Sequence, residues 1–205
     1  MTGPDWNGDL LMRLRRGDEQ AFLALYHKLQ PPIYRFARNM TGSTAVAEDV
    51  TQEVFLALLR EDFGYVPDRG TLSGYLFGIA RKLVLRHLER NHGAAEQEIG
   101  SLEAGRGERL GSAAFADPIV ELLQREGIEE LRRAVLSLPR RYREVVVLCD
   151  LEETDYAVAA DLLGCPVGTV RSRLHRARAL LLEKLQPRRD SRSRIKHFDV
   201  ARSVI

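Results

Sequence analysis

Residues 163–178 read LGCPVGTVRSRLHRAR, and the tripeptide Gly164-Cys165-Pro166 interrupts two segments of helical periodicity. Glycine is the usual left-handed residue at a helix end, and proline is favoured at the first position of the next helix. The segment before the break, from Tyr156 to Leu163, is short and apolar, whereas the segment after it is longer and basic. This layout over residues 154–183 predicts a helix-turn-helix.

The second helix of this unit has two contrasting faces. At about 100° per residue, its apolar positions lie within about 60° of one another and predict a buried stripe, Val170, Leu174, Ala177 and Leu181. The opposite side combines a short polar first turn with a rim of arginines, which a helix in the DNA major groove needs and a merely solvated basic helix does not. The candidate DNA contacts are Thr169, Arg171, Ser172, Arg173, His175 and Arg176.

Charge is distributed unevenly along a nearly neutral chain. The 205 residues include 31 Lys and Arg against 29 Asp and Glu, a net charge of +2. Residues 96–130 carry nine acidic and three basic side chains, whereas residues 171–196 carry two acidic and ten basic ones. A basic end on a neutral chain indicates a polyanionic partner for that end.

The N-terminal block has the pattern of several helices. Gly17-Asp18 predicts a helix end followed by an N-cap, Pro31-Pro32 predicts the end of the next helix, and Ser43 predicts the cap of another. Residues 72–87 repeat apolar positions at helical spacing, and aromatic residues make up only 7% of the chain. We therefore expect an all-α protein of two helical domains.

The domain limits follow from composition. We expect a first domain over 1–92, a flexible linker over 93–118, a second domain over 119–186 and a basic tail over 187–205. Residues 91–118 include five glycines and no lasting apolar period, which is typical of a flexible linker. We accordingly expect the two domains to be structurally independent, with few contacts between them.

Several classes of protein are disfavoured by the sequence. The two cysteines, Cys149 and Cys165, predict no disulfide framework, and the five histidines show no metal-ligand spacing with them. We expect no metal, no cofactor and no enzymatic activity. The chain has no run of eighteen apolar residues and no secretion signal at its start, so we expect no membrane span and a cytoplasmic location.

The C-terminal block resembles a known family over nearly fifty residues. The segments that carry the resemblance are LPRRYRE (138–144), LCDLE (148–152) and LGCPVGTVRSRLHRAR (163–178). They resemble the fourth conserved region of extracytoplasmic-function sigma factors, the small members of the sigma-70 family. The resemblance implies that the helix-turn-helix reads duplex DNA at the promoter element near position −35.

The N-terminal block resembles the same family in two places. Residues 47–56, AEDVTQEVFL, are similar to its polymerase-binding helix. That likeness implies a contact with the clamp coiled coil of the largest polymerase subunit through Asp49, Gln52, Glu53 and Leu56. These four share a helix face outside the stripe Val46, Val50 and Val54.

Residues 65–81, YVPDRGTLSGYLFGIAR, resemble the loop and helix that capture an opened strand at the −10 element. The likeness implies contacts with that strand through Tyr65, Arg69, Arg81, Lys82 and Arg86. Two positions depart from the family pattern. Tyr75 occupies a position where the family commonly has tryptophan, and Lys82 occupies one where it commonly has asparagine.

Together these resemblances imply an RNA polymerase sigma factor. Its partners would be core polymerase, including the flap of the second-largest subunit, promoter DNA, and an anti-sigma protein of the kind the family commonly uses. The rival interpretation is a stand-alone helix-turn-helix regulator that binds duplex DNA without polymerase. A stand-alone regulator needs neither the face around Gln52 nor the aromatic loop at Tyr65.

Overall fold

The computed structural model describes residues 6–60, 64–94 and 118–185, and every regular element in these ranges is helical. The first domain contains α1 Trp6–Arg15, α2 Glu19–Thr41, α3 Thr44–Leu58 and α4 Leu72–Ala94. The second contains α5 Pro118–Leu136, α6 Arg140–Val146, α7 Tyr156–Leu163 and α8 Val167–Leu185. The all-α class is confirmed. Residues 95–117 of the expected linker and all of the expected tail lie outside the described residues.

The helix ends in the first domain follow local sequence chemistry. The Asp18 carboxylate accepts hydrogen bonds from two backbone N–H groups in the first turn of α2, at 3.0 and 3.2 Å. Gly42 ends α2 in the left-handed region, with φ +78°, and the Ser43 hydroxyl accepts a hydrogen bond from the first turn of α3. The predicted breaks at Asp18 and Ser43 are confirmed, because each cap satisfies backbone donors that a helix start leaves unpaired.

The predicted helix end at Pro31-Pro32 is wrong, since α2 continues through both prolines to Thr41. An interior proline costs a helix about 3 kcal/mol because it removes a hydrogen bond and crowds the preceding turn. Burial opposes this cost, because each large apolar side chain removed from water contributes about 1.5–3 kcal/mol. The buried face of α2 spans the prolines without a break and consists of Ala21, Leu25, Leu29, Ile33, Phe36, Ala37 and Met40.

The helix-turn-helix is present as predicted. Gly164 ends α7 with φ +61° and ψ +40°, and Pro166 immediately precedes α8. Buried residues on α8 are the four of the predicted stripe, Val170, Leu174, Ala177 and Leu181. Helix α8 is therefore held by one apolar side, which leaves its polar side available.

The segment Val147–Leu151 continues α6 as a π-helical turn. The backbone N–H of Glu152 donates to the carbonyl of Val147 at 3.0 Å, five residues back instead of four. The run Val145–Leu148 is helical throughout, and all four of these residues are buried. A π-turn accommodates one residue more than an α-turn, so it changes the direction of every side chain that follows.

The prediction that few contacts join the two domains is wrong. At the end of α2, a Cβ atom added to Gly42 would lie 2.9 Å from Cδ1 of Leu136 on α5. Ion pairs also connect the domains, including Arg35 with Glu152 at 2.8 Å and Arg81 with Glu144 at 3.3 Å. A linker poor in apolar residues says nothing about the surfaces on either side of it, and these surfaces are complementary.

The Arg143 side chain on α6 contacts the ends of two helices at this junction. Its guanidinium donates to the carbonyl of Met40 in the last turn of α2 at 2.7 Å. It also donates to the carbonyls of Leu136 and Leu138 at the end of α5. Burial lowers the pKa of Arg143. The carbonyls at helix ends lack partners within their own helix, so one cation here satisfies two ends at once.

We expect Arg143→Lys to lower the free energy of unfolding by about 2 kcal/mol, because one ammonium group cannot reach carbonyls in three directions. Urea denaturation followed by circular dichroism measures the change. Arg132→Lys is the matched control, since Arg132 pairs with Glu129 one turn away on the same helix and donates to no described helix end. Equal stability of the two variants would contradict this role for Arg143.

Candidate functional site

The four residues expected to bind polymerase lie together on the outer face of α3. Asp49, Gln52 and Glu53 are exposed, and Leu56 is 50% exposed. The opposite face, which includes Val50 and Val54, packs into the first domain. We call Asp49, Gln52, Glu53 and Leu56 the docking face.

An apolar groove between α2 and α3 adjoins the docking face. Gln52 and Leu56 line it, together with Tyr26 and Phe55, whose ring centroids are 4.8 Å apart. Leu59, which also lines the groove, is 53% exposed. Sequence analysis did not identify the groove, because Leu59 follows the end of α3 and Tyr26 belongs to another helix. Only the spatial pairing of α2 with α3 brings them together.

The loop before α4 holds Tyr65 in the interior. Its side chain is 8% exposed, and its hydroxyl donates to the Gly70 carbonyl at 3.1 Å. The rings of Tyr65 and Tyr75 are 5.8 Å apart. Arg69 ends the 3-10 turn Pro67–Arg69, and its side chain lies outside the described part of the chain. In this arrangement the hydroxyl of Tyr65 joins the two ends of the loop, and most of its ring is buried.

The structure divides the three cations expected on α4. Arg81 faces the second domain, where it pairs with Glu144 at 3.3 Å. Lys82 and Arg86 are exposed one turn apart, and Arg86 borders a shallow groove with Glu53 of the docking face. The strand-binding residues predicted from sequence therefore occupy two different sides of α4.

The polar side of α8 is accessible along most of its length. Arg171, Ser172, His175 and Arg176 are exposed, whereas Thr169 and Arg173 are half-buried. We call Thr169, Arg171, Ser172, Arg173, His175 and Arg176 the reading face. The Ser172 hydroxyl donates to the Thr169 carbonyl at 3.1 Å. All six predicted positions thus belong to one continuous surface, with the two half-buried residues at its inner edge.

Two arginines near this surface, Arg171 and Arg178, have partners within the protein. Arg178 makes two hydrogen bonds to the Asp150 carboxylate, at 2.6 and 3.1 Å, and this contact raises the pKa of Arg178. Arg171 lies 6.0 Å from the centroid of the Tyr156 ring. Arg178 therefore fixes α8 to the end of the π-turn, and Arg171 is oriented by the first helix of the motif.

The described residues contain no group of three or more His, Cys, Asp and Glu side chains arranged to hold a metal ion. Cys149 is free, and burial, followed by the negative charge of Asp150, raises the pKa of its thiol.

Within the same described ranges, no helix is both long and apolar enough to cross a membrane.

Family models match both domains. Residues 25–93 match the model described as Sigma-70 region 2, and residues 128–181 match Sigma-70, region 4. The chain is 30% identical over 191 residues to the RNA polymerase sigma-H factor of Pseudomonas aeruginosa, covering 91% of this chain and 97% of that protein. The chain belongs to the sigma-70 family, among its extracytoplasmic-function sigma factors. Sigma factors are transcription initiation factors that act with core RNA polymerase.

Other relatives and a solved structure agree with this assignment. The sigma factor is 35% identical over 155 residues to the ECF RNA polymerase sigma factor SigE of Mycolicibacterium smegmatis, covering 75% of this chain and 57% of that protein. It is 26% identical over 181 residues to the ECF RNA polymerase sigma factor SigW of Bacillus subtilis, and the match covers 86% of this chain and 95% of that protein. Its fold is similar to that of the sigma factor RpoE of Bartonella quintana, which was solved in complex with the anti-sigma factor NepR. The TM-score is 0.63 and the sequence identity is 21%, and the match covers 82% of this chain and 98% of that chain.

The match to region 2 decides between the two interpretations of the helix-turn-helix. A stand-alone regulator has no need of that region, whereas this sigma factor devotes residues 25–93 to it. The docking face, Tyr65, Arg81 and Lys82 all lie inside this match, and the reading face lies inside the match to region 4.

We expect Tyr65→Phe to lower the free energy of unfolding by about 1 kcal/mol, because the part-buried hydrogen bond from the Tyr65 hydroxyl to the Gly70 carbonyl is lost. Thermal unfolding of the purified protein measures this change. Tyr26→Phe serves as the control, since the Tyr26 side chain is more than a third exposed. If the two substitutions have the same effect, the hydroxyl of Tyr65 does not hold the loop.

Proposed function

We propose that this sigma factor binds core RNA polymerase through the docking face, with the clamp coiled coil of the largest subunit as its partner. Acidic and amide groups beside an exposed leucine and an aromatic groove suit a protein partner, since DNA phosphates would repel Asp49 and Glu53. The exposed set of Gln52, Glu53 and Leu56 on a helix whose other face is buried is the observation that supports this proposal.

The reading face recognises duplex DNA at the −35 element in this proposal. Ser172 and His175 are exposed on the outer side of α8 and contact base edges, whereas Arg171 and Arg176 at the rim contact phosphates or guanine. The second domain also contacts the flap of the second-largest polymerase subunit. A rigid helix is needed for this role, and the Asp150–Arg178 pair supplies one of its anchors.

The first domain captures the opened strand at the −10 element. Lys82 and Arg86, both exposed, attract the phosphate backbone, and Arg81 and Arg69 contribute further positive charge. Tyr65 maintains the loop that receives an unstacked base. Unstacking a base costs a few kcal/mol, so a preformed loop favours strand opening at this point of the promoter.

The polymerase performs the chemistry of transcription, and the sigma factor makes or breaks no covalent bond in this mechanism. Its place of action is the cytoplasm, where polymerase and promoter DNA are found. An anti-sigma protein is the further partner that the family resemblance implies. Promoter recognition is then divided between two domains that bind different forms of DNA.

We expect Gln52→Ala/Glu53→Ala to weaken binding to core polymerase by about thirtyfold or more while the protein still binds a promoter duplex. Exposed positions usually change stability by less than about 0.5 kcal/mol, whereas central interface contacts cost about 2 kcal/mol or more, some thirtyfold in affinity. Co-purification with core enzyme measures the first effect, and a gel shift measures the second.

The matched control is Arg171→Ala/Arg176→Ala, which we expect to bind polymerase and to fail at the −35 element. Full promoter-dependent transcription by the Gln52→Ala/Glu53→Ala variant would show that the docking face is wrongly assigned. Failure of the unmodified protein to associate with polymerase would contradict the proposed function as a whole.

Binding to a duplex promoter should weaken steeply with added salt. Each phosphate neutralised by an arginine contributes about −0.9 to the slope of log affinity against log salt concentration. We expect Arg171→Ala to reduce the magnitude of the slope by about this amount. Ser172→Ala should leave the slope unchanged and alter the preferred sequence. Fluorescence anisotropy at several salt concentrations measures both, and a slope near zero in the unmodified protein would contradict groove binding.

A further inference from the structure

Arg178 lies on the same flank of α8 as Arg171 of the reading face. The two residues are seven positions apart, so they point within about 20° of each other and are about 10 Å apart along the helix axis. The Arg178 side chain is 54% exposed, so burial does not keep it from a DNA backbone. By its place on the helix, Arg178 is as good a candidate for a phosphate contact as Arg171.

The two arginines differ in their partners. The Arg178 guanidinium makes two hydrogen bonds to the Asp150 carboxylate, from Nη2 to Oδ1 at 2.6 Å and from Nε to Oδ2 at 3.1 Å. Arg171 lies 6.0 Å from the centroid of the Tyr156 ring, a contact that orients the guanidinium without neutralising it. The flank therefore has one free positive charge where the sequence has two arginines.

The Asp150 carboxylate offsets the attraction of Arg178 for a phosphate. It occupies the Nε and Nη2 edge of the guanidinium, and paired guanidinium–carboxylate bonds are among the stronger surface contacts. A phosphate that reaches the remaining N–H groups of Arg178 also approaches the negative charge of Asp150. At such short distances the attraction and the repulsion are similar in size, so the pair gains little from a DNA backbone.

This pairing distinguishes Arg178 from the other arginines of α8. Within the described ranges, it is the only one of the four that forms an ion pair with a carboxylate. Arg171 and Arg176, at the rim of the reading face, are exposed and have no carboxylate partner there. The positively charged rim of α8 therefore ends before Arg178.

We propose that Asp150 is a specificity-determining residue of the reading face, because it keeps Arg178 from binding the DNA backbone. This inference rests on the proposed recognition of duplex DNA by α8. Phosphate contacts raise the affinity for every sequence, whereas base contacts distinguish one sequence from another.

An additional phosphate contact would favour unrelated DNA over the promoter. On the promoter, the base contacts of Ser172 and His175 fix the position of α8, and the phosphates must be taken where they lie. On unrelated DNA no base contact fixes the helix, so it takes the position that gives the most phosphate contacts. A released Arg178 therefore strengthens binding to unrelated DNA more than binding to the promoter, and Asp150 prevents this.

The test uses the full chain without polymerase and two fluorescein-labelled duplexes. One carries a promoter, and the other has the same base composition in scrambled order. Fluorescence anisotropy between about 50 and 200 mM salt gives the affinity for each duplex and the slope of log affinity against log salt concentration. The ratio of the two affinities measures specificity.

We expect Asp150→Asn to increase the magnitude of the slope on the scrambled duplex by about 0.9, because Arg178 then binds a phosphate. One such contact changes the affinity about threefold over this salt range, so the promoter-to-scrambled ratio should fall about threefold at the low-salt end. Asp150→Ala is measured beside it, so that misfolding of one variant does not end the test. An unchanged slope and ratio in a folded variant would overturn the proposal.

Asp155→Asn is the matched control for the loss of one negative charge. Asp155 is exposed at the start of α7, its side chain makes no capping hydrogen bond, and it pairs with no arginine within the described ranges. We expect its slope and its affinity ratio to equal those of the unmodified protein. If Asp155→Asn has the same effect as Asp150→Asn, general charge accounts for both and the proposal is wrong.

Substitutions of Arg178 identify the cation that Asp150 controls. Arg178→Ala should leave the slope unchanged, although Arg171→Ala on the same flank reduces its magnitude by about 0.9. Asp150→Asn/Arg178→Ala should return the slope to that of the unmodified protein. A reduced slope in Arg178→Ala would show that Arg178 already binds a phosphate beside Asp150. A slope that stays raised in the double variant would show that another cation is responsible, and either result would overturn the proposal.

The unmodified protein separates this inference from the proposed function. A slope near zero, or equal affinity for the two duplexes, would contradict recognition of duplex DNA by α8 and the inference with it. A steep slope and a preference for the promoter that persist unchanged in Asp150→Asn would overturn only the role of Asp150 and leave the proposed function in place.

Discussion

The guanidinium of Arg143 satisfies carbonyl groups at the ends of two helices that belong to different domains. Helix C-termini carry partial negative charge and carbonyls without internal partners, and burying two of them side by side is unfavourable unless a donor lies between them. Arg143 is that donor, and the tight approach of Leu136 to Gly42 occurs beside it. The position of the second domain on the first, and so the surfaces that remain open, depends on this junction.

Much of the fold could be predicted from local sequence chemistry. The caps at Asp18 and Ser43 and the left-handed turn at Gly164 involve neighbours in the chain, and the buried stripe of α8 follows from periodicity alone. The continuation of α2 through Pro31 could not be predicted in this way. It depends on burial along the whole helix, and a rule about one residue cannot weigh that burial against the loss of a hydrogen bond.

The candidate site shows the same division. The exposed positions on α3 and α8 follow from helical geometry, so the helical periodicity of the sequence was enough to predict that Asp49, Gln52, Ser172 and His175 lie on outer faces. The partners of Arg81 and Arg143 lie on other helices. Glu144, the partner of Arg81, is 63 residues further along the chain. Met40, whose carbonyl accepts from Arg143, is 103 residues before it. The spacing of residues along one helix cannot predict a contact with another helix. From sequence alone, an arginine in an amphipathic helix is therefore expected to be exposed to solvent. The role of Tyr65 was obscured for a similar reason, since its hydroxyl partner is a backbone carbonyl.

The π-turn at Val147–Leu151 adds one residue to the helical path between the two parts of the second domain. Each residue of a helix turns the chain by about 100°, so this extra residue changes the direction in which the side chains after it point. Asp150 and Glu152 lie in and just after the turn, and they point to Arg178 and Arg35 respectively. The first pair steadies the reading helix, and the second joins the domains. Deleting one residue from this turn would rotate Asp150 and Glu152 relative to the rest of the helix and misalign both contacts at once, so a change in length here disturbs more than a substitution of either neighbour does.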